Sequence, residues 1–181
     1  AGANLSGANL SGAKITHTDL SGADLSEATL TGIELTESHL EEANLDDAEL
    51  TRADLSGADL TDATLRHATL TEATLTGATL RNADLTGAVL READIDKSDL
   101  SFSELSRADA TDADLSFAKL YKADCSFATL DRINLTGCDG RGMNISTAEV
   151  TEITVPGTEA EDGATIAELK RLGAIRQPPA E

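Results

Sequence analysis

Histidine, cysteine and carboxylate side chains are the groups in this sequence that could bind a metal or act in catalysis. The histidines are His17, His39 and His67, and the cysteines are Cys125 and Cys138. A zinc site needs three or four such ligands about 2 Å from the ion. Whether any of these groups converge depends on the elements that hold them, and the spacing of the remaining residues decides those elements.

The composition is strongly acidic. The 181 residues include 33 Asp and Glu against 14 Lys and Arg, which gives a net charge of −19. Binding to nucleic-acid phosphates or to an anionic membrane surface needs the opposite charge. No phosphate loop, nucleophile elbow or Ser-His-Asp spacing appears, and no apolar run approaches the ~20 residues of a membrane span. We expect a protein that is not an enzyme and has no nucleic-acid or membrane partner.

A repeat of five residues dominates the chain. From Leu5 to Val155, every fifth position is Leu, Ile or Val in 28 of 31 cases, and the exceptions are Ala110, Cys125 and Gly140. The position two residues earlier is Ala in 22 of 30 cases. Five residues advance about 500° on an α-helix and reverse the side-chain direction on a strand. The chain must therefore bend once in every five residues, so that stacked turns bury one continuous column.

The five-residue unit reads Ala-Asp/Asn-Leu-x-x, as in residues 23–27 and 53–57, and resembles the pentapeptide-repeat family over about 150 residues. The resemblance implies an all-β solenoid, a right-handed quadrilateral β-helix, in which each unit forms one side and four units form a coil. The 31 units then make nearly eight coils. The Leu and Ala positions face inward. Glycines at the last place of many units lie at corners where positive φ is needed.

With this placement the three histidines fall at outward positions on different sides or distant coils, and both cysteines fall at inward positions. We therefore expect no metal site, no cofactor, no catalytic residue and two buried free thiols. We also expect a small void beside Ala110, and a distorted coil around residues 137–144, where Gly140 stands in place of Leu.

The sequence divides into a β-helix over residues 1–155 and a tail over residues 156–181, and the tail predicts a short helix at about 164–172 before a frayed end. The apolar face of that helix consists of Ile166, Leu169 and Leu172. This helix either covers the C-terminal end of the rod or pairs two chains into a homodimer. At the other end the first coil has no lid, so either residues precede it or a partner docks there.

The acidic residues are concentrated on two neighbouring sides of the first coils. These sides hold carboxylates at about one per 1.6 Å of the rod axis, close to the one charge per ~1.7 Å of duplex DNA. The candidate partner-binding residues are Asp19, Asp24, Glu27, Glu41, Glu42, Asp46, Asp47, Asp59 and Asp62.

Two interpretations of this charge are open. Some pentapeptide-repeat proteins resemble duplex DNA in shape and charge and bind type II topoisomerases. The resemblance therefore implies an acidic protein-binding rod that docks on a basic surface, that of DNA gyrase or topoisomerase IV. The alternative is a structural or scaffold β-helix whose acidic surface serves solubility or adaptation to high salt. We expect a cytoplasmic protein, although a processed N-terminus would also allow secretion.

Three phenylalanines occupy the outward fifth place of their units. Residues 20 apart should stack one coil apart, which places a cation beside each ring. The expected pairs are Phe102 with Lys122, Phe117 with Lys97, and Phe127 with Arg107. Each cation should lie within about 6 Å of the ring centre.

Overall fold

The computed structural model describes residues 1–154, which form a right-handed quadrilateral β-helix and confirm the predicted all-β solenoid. Parallel bridges join residues 20 apart in succession, from Asn4↔Asp24 to Asn134↔Thr154. The longest pairing joins β1 (Thr129–Asp131) to β2 (Glu149–Thr151), parallel. The predicted C-terminal helix, with its three apolar residues, lies outside the described residues. Within residues 1–154 no helix could cross a membrane.

A β-turn at each corner makes the chain bend. In the first of these turns the Leu5 carbonyl accepts a hydrogen bond from the Ala8 N–H at 2.9 Å, and Gly7 between them has φ of 64°. Positive φ at the third turn residue alone is the geometry of a type II turn, which favours glycine. The predicted role of the corner glycines is confirmed. Twenty non-glycine residues also adopt positive φ, and this exceeds the sequence prediction.

The Asp or Asn that precedes each Leu caps the turn that follows. Asp54 accepts hydrogen bonds at Oδ1 from the Ser56 N–H at 3.0 Å and from the Ser56 hydroxyl at 2.6 Å. Short Asx side chains are suited to this bond because they reach the backbone two residues ahead. The Asp/Asn preference of the repeat therefore has a local structural cause that does not depend on a partner.

The core is one continuous column of Leu and Ala side chains, almost all fully buried from Leu20 onward. In the first coil Leu5 and Leu10 are only half-buried, because no coil covers them on one side. Beside Ala110 an apolar cavity of about 20 Å³ opens against Leu90 and Leu130, so the expected void is confirmed.

Both cysteines are free thiols at inward positions, although only Cys125 is fully buried and Cys138 is half-buried. Burial, with a smaller contribution from the adjacent Asp124, raises the pKa of the Cys125 thiol to about 12. Burial and the neighbouring Asp139 raise the pKa of Cys138 to about 11. Both groups are therefore protonated and unreactive at neutral pH.

The expected distortion around residues 137–144 is wrong. The bridges Lys119↔Asp139 and Asp124↔Asn144 keep the register of the coils there. Glycine in place of Leu removes core volume, but it leaves the backbone bonds that define the coil intact. The irregular corner is at Thr147, where φ is not positive and the Thr147 hydroxyl accepts the Phe127 N–H at 3.0 Å. β-Branched residues avoid positive φ.

Candidate functional site

The predicted acidic residues lie on two adjacent sides of the rod. We define the first side as the outward residues of the unit 18–22 and of the units stacked on it in the following coils, up to 138–142. The second side is the next one along the chain, from the unit 23–27 onward. The bridges Asp19↔His39 and His39↔Asp59 show that residues of the first side stack in one column, and Asp24↔Asn44 does the same for the second side.

Three of the nine predicted acids are turn caps. Asp19, Asp24 and Asp59 each accept the backbone N–H two residues ahead, at 3.0 to 3.1 Å. The hydrogen bond from the Ser21 N–H lowers the pKa of Asp19. Hydrogen bonds from the hydroxyl and backbone of Ser26 lower the pKa of Asp24. In all three carboxylates, part of the hydrogen-bonding capacity is used inside the rod.

Three more acids are held by neighbouring side chains. Glu41 accepts the Ser21 hydroxyl at 3.0 Å, and Asp62 accepts the Asn82 amide at 2.9 Å. Asp46 lies 3.9 Å from the Arg66 guanidinium. Asp46 is thus the one predicted acid with a Lys or Arg partner among residues 1–154.

The remaining acids, Glu27, Glu42 and Asp47, are exposed, and their carboxylates contact no other side chain of the described residues by a hydrogen bond or ion pair. All three occupy the fifth place of a unit, where positive φ turns the side chain away from the rod. Glu27 and Asp47 occupy the same column and stand one coil apart at the far corner of the second side, while Glu42 stands at the corner between the two sides. They are the carboxylates most available to a partner.

The C-terminal half of the first side is basic and aromatic. Phe102 and Tyr121 meet edge to face with ring centres 5.3 Å apart. The Lys122 ammonium lies 5.7 Å from the Phe102 centre and 5.3 Å from that of Tyr121. The guanidinium groups of Arg81 and Arg141 cover the same two rings at 5.6 and 5.8 Å. We call these five residues the basic aromatic cluster.

All three predicted cation–ring pairs are confirmed. Lys97 lies 6.0 Å from the Phe117 centre and Arg107 lies 5.9 Å from the Phe127 centre, in addition to the pair of Lys122 with Phe102. The rings stay partly exposed, at 40% for Phe102 and 61% for Phe127. The sequence analysis did not predict that Tyr121 and Arg81 contact these rings and cations. The spacing of Arg81, Tyr121 and Arg141, which fall in one column of the repeat, could have indicated it.

The histidines remain separate. His17 lies 3.1 Å from Glu37 and His39 lies 3.3 Å from Glu41, both on exposed surface. The ring of His67 instead fills the space above Gly87. Within the part of the chain that the structure describes, no three His, Cys, Asp or Glu side chains are placed to hold a metal ion.

Two family models match the repeat region of the sequence. A family model described as a pentapeptide repeat region matches residues 3–80, and a second, described as pentapeptide repeats, matches residues 68–101 and 98–137. Neither model describes an enzyme family. None of the curated proteins matches the sequence.

Several solved structures are similar over most of their length. HetL from Nostoc sp. strain PCC 7120, involved in heterocyst differentiation regulation, is 28% identical, with coverage of 87% of this chain and 91% of HetL and a TM-score of 0.43. QnrB1, a plasmid-mediated fluoroquinolone resistance protein, is 21% identical, with 96% and 92% coverage and a TM-score of 0.45. A pentapeptide repeat protein from the Arabidopsis thaliana thylakoid lumen is 25% identical, with 86% and 77% coverage and a TM-score of 0.33.

Proposed function

This chain belongs to the pentapeptide-repeat family, and we propose that it is a non-enzymatic rod that binds a basic protein surface through its acidic N-terminal half. The observation that carries the proposal is the set of free carboxylates on Glu27, Glu42 and Asp47. Exposed acids without internal partners keep their full charge for a binding partner, and docking them removes no existing ion pair.

The more specific form of the proposal is a DNA mimic that binds a type II topoisomerase, DNA gyrase or topoisomerase IV. Eight of the nine candidate acids have no Lys or Arg partner among residues 1–154. Two of these eight have another cationic neighbour, because Asp19 lies 3.7 Å from the N-terminal ammonium and Glu41 lies 3.3 Å from His39. The other six carboxylates form no ion pair within that range. The axial density of the candidate acids, about one per 1.6 Å on the strand spacing, resembles that of duplex DNA. A channel that binds duplex DNA by its charge offers the basic surface that such a rod fits.

Charge reversal of one corner column tests this proposal. The double variant Glu27→Lys/Asp47→Lys changes two free acids on adjacent coils. The control, Glu72→Lys/Glu92→Lys, also changes two acids on adjacent coils, in the same fifth place of the unit but on another side. It differs in one respect, because Glu72 forms an ion pair with Arg52 at 2.8 Å. We expect the first variant to weaken binding to gyrase or topoisomerase IV by about tenfold or more at 0.1 M salt, and the control to change it much less.

Supercoiling inhibition and direct binding are the measurements. Binding should also weaken as salt is raised, because the contacts are between exposed charges. Equal losses in both variants would show that net charge, and not this corner, governs binding. If the unmodified protein neither binds nor inhibits either enzyme at micromolar concentration, the topoisomerase form of the proposal is wrong.

A further inference from the structure

The first side carries opposite charges at its two ends. Its N-terminal half holds acids at five outward positions, namely Asp19, Glu41, Glu42, Asp59 and Asp62. Its C-terminal half holds Lys119 and the basic aromatic cluster, four cations in all, against the two acids Asp99 and Asp139. We propose that two copies of this chain pair antiparallel through the first side, so that the acidic half of each copy covers the basic half of the other. This inference does not depend on the topoisomerase proposal.

Twofold symmetry makes the pairing specific. Consider a twofold axis that lies between the two rods and is perpendicular to both. Each column of one copy then lies opposite the same column of the second copy, and the two columns run in opposite directions along the rods. We place this axis between the units 78–82 and 98–102. The residues then opposite each other are Glu41 and Arg141, Asp59 and Lys119, Asp62 and Lys122, and His39 and Asp139. Each pair occurs twice, and each joins groups that carry opposite charges when ionised.

Other arrangements of the same two surfaces bring like charges together. A shift of one coil in either direction places Asp59 opposite Asp99 or Asp139. A parallel pair of rods would set the acidic half of one copy against the acidic half of the other. Like charges in contact disfavour a wrong register, so the charge pattern selects one antiparallel alignment.

Two of the groups in these pairs, Lys122 and Asp62, have unused capacity for ionic contacts. Arg141 already lies 2.6 Å from Asp139 and Lys119 lies 3.5 Å from Asp99, so the second copy would add to those pairs. The Lys122 ammonium lies over two rings but contacts no carboxylate among residues 1–154. Within the same range, the Asp62 carboxylate contacts only the Asn82 amide. Phe102 is 40% exposed and would lie opposite Asn82 of the second copy. The dimer therefore gives both charges a partner and covers an exposed ring.

The dimension of the side limits the strength of the dimer. Six coils span about 24 Å and one unit is at most about 16 Å wide, so the pairing buries about 800 Å² in total. That is below the ~1,200–2,000 Å² of stable interfaces, and we expect a weak dimer. At 0.1 M salt the repulsion between acids farther apart than about 10 Å is screened, while the contacting pairs persist. Glu27 and Asp47 stay uncovered.

Sedimentation equilibrium of the full chain tests the proposal with a charge swap. In 0.1 M salt we expect a dimer to form as the protein concentration is raised toward about 1 mM. In about 1 M salt we expect a monomer. Lys122→Glu should weaken the dimer about tenfold, since two attractive pairs become repulsive. Adding Asp62→Lys should restore it. Adding Asp47→Lys instead, which makes the same change in net charge on the neighbouring side, should not.

Arg107→Glu is the control for loss of a stacked cation. Arg107 also occupies a fifth place beside a ring, but it lies on the second side. A monomer under all conditions overturns the proposal, as does a dimer that resists Lys122→Glu and must be held elsewhere. Equal rescue by Asp62→Lys and Asp47→Lys also overturns it, because net charge and not the twofold register would then be responsible.

Discussion

Replacement of Gly137 with alanine tests the packing of the exposed aromatic rings against the coil. A Cβ atom on Gly137 would lie 2.7 Å from both Cδ1 and Cε1 of Phe117, so the ring would have to move. Gly77 lies in the same corner column with a similar φ, 68° against 64°, and has nothing within 4 Å of its Cβ position. Gly77→Ala therefore reports the backbone cost alone.

The two costs can be separated in magnitude. An L-residue in the left-handed region costs about 1–2 kcal/mol, and a less flexible unfolded chain offsets about 0.4–1 kcal/mol of this. We expect Gly77→Ala to lower the free energy of unfolding by about 1 kcal/mol. Gly137→Ala also displaces the ring from Lys97, a contact worth about 0.5–1 kcal/mol, and from the backbone below it. We expect Gly137→Ala to lower the free energy of unfolding by about 2 kcal/mol in total.

Urea denaturation of the two variants measures the difference. In a Phe117→Ala background, Gly137→Ala should cost no more than Gly77→Ala, because the ring that clashes with the new methyl group is gone. If Gly137→Ala and Gly77→Ala destabilise the unmodified protein equally, the ring does not pack against the coil and the reasoning is refuted.

Three further predictions concern the core and the caps. Ala110→Val should raise the free energy of unfolding by at most about 0.8 kcal/mol, the free energy of burying one carbon, because the cavity of about 20 Å³ has room for little more. Ala110→Leu should overpack the cavity and lower the free energy of unfolding by about 1–3 kcal/mol. Urea denaturation measures both. Burial alone would raise the pKa of Asp109, but bonds from Thr111 and Arg91 outweigh it and lower that pKa. The stability it contributes is therefore present above its unfolded pKa of about 3.9 and lost as pH falls through its lower folded pKa, and Asp109→Asn should be milder than Asp109→Ala in melting experiments. Cys125, with a pKa of about 12, should resist iodoacetamide at pH 8 in the folded protein and react in urea; rapid labelling of the native chain would contradict its burial.

The five-residue register predicted a bend in every unit and the inward or outward direction of each side chain, and the family resemblance supplied the four-sided coil of 20 residues. A column can be buried only if every unit bends in the same way, so the Leu pattern indicated a solenoid. The same arithmetic placed Lys97 beside Phe117 and a void beside Ala110. Contacts between residues 20 apart follow from the register because the backbone bonds of adjacent coils fix them.

The tertiary structure decided which of the outward charges are occupied. Arg81 contacts Asp99 and Phe102, neither of which lies in its own column. Asp46 contacts Arg66, while the adjacent Asp47 contacts no side chain among residues 1–154. Some cations pair with the acid 20 residues away in their own column, as Arg66 does with Asp46, while Arg81 and Arg91 reach an acid in another column. Spacing therefore does not decide which of the two partners a cation takes. The backbone is fixed by local sequence, whereas the free surface charge depends on the conformations that neighbouring side chains adopt together.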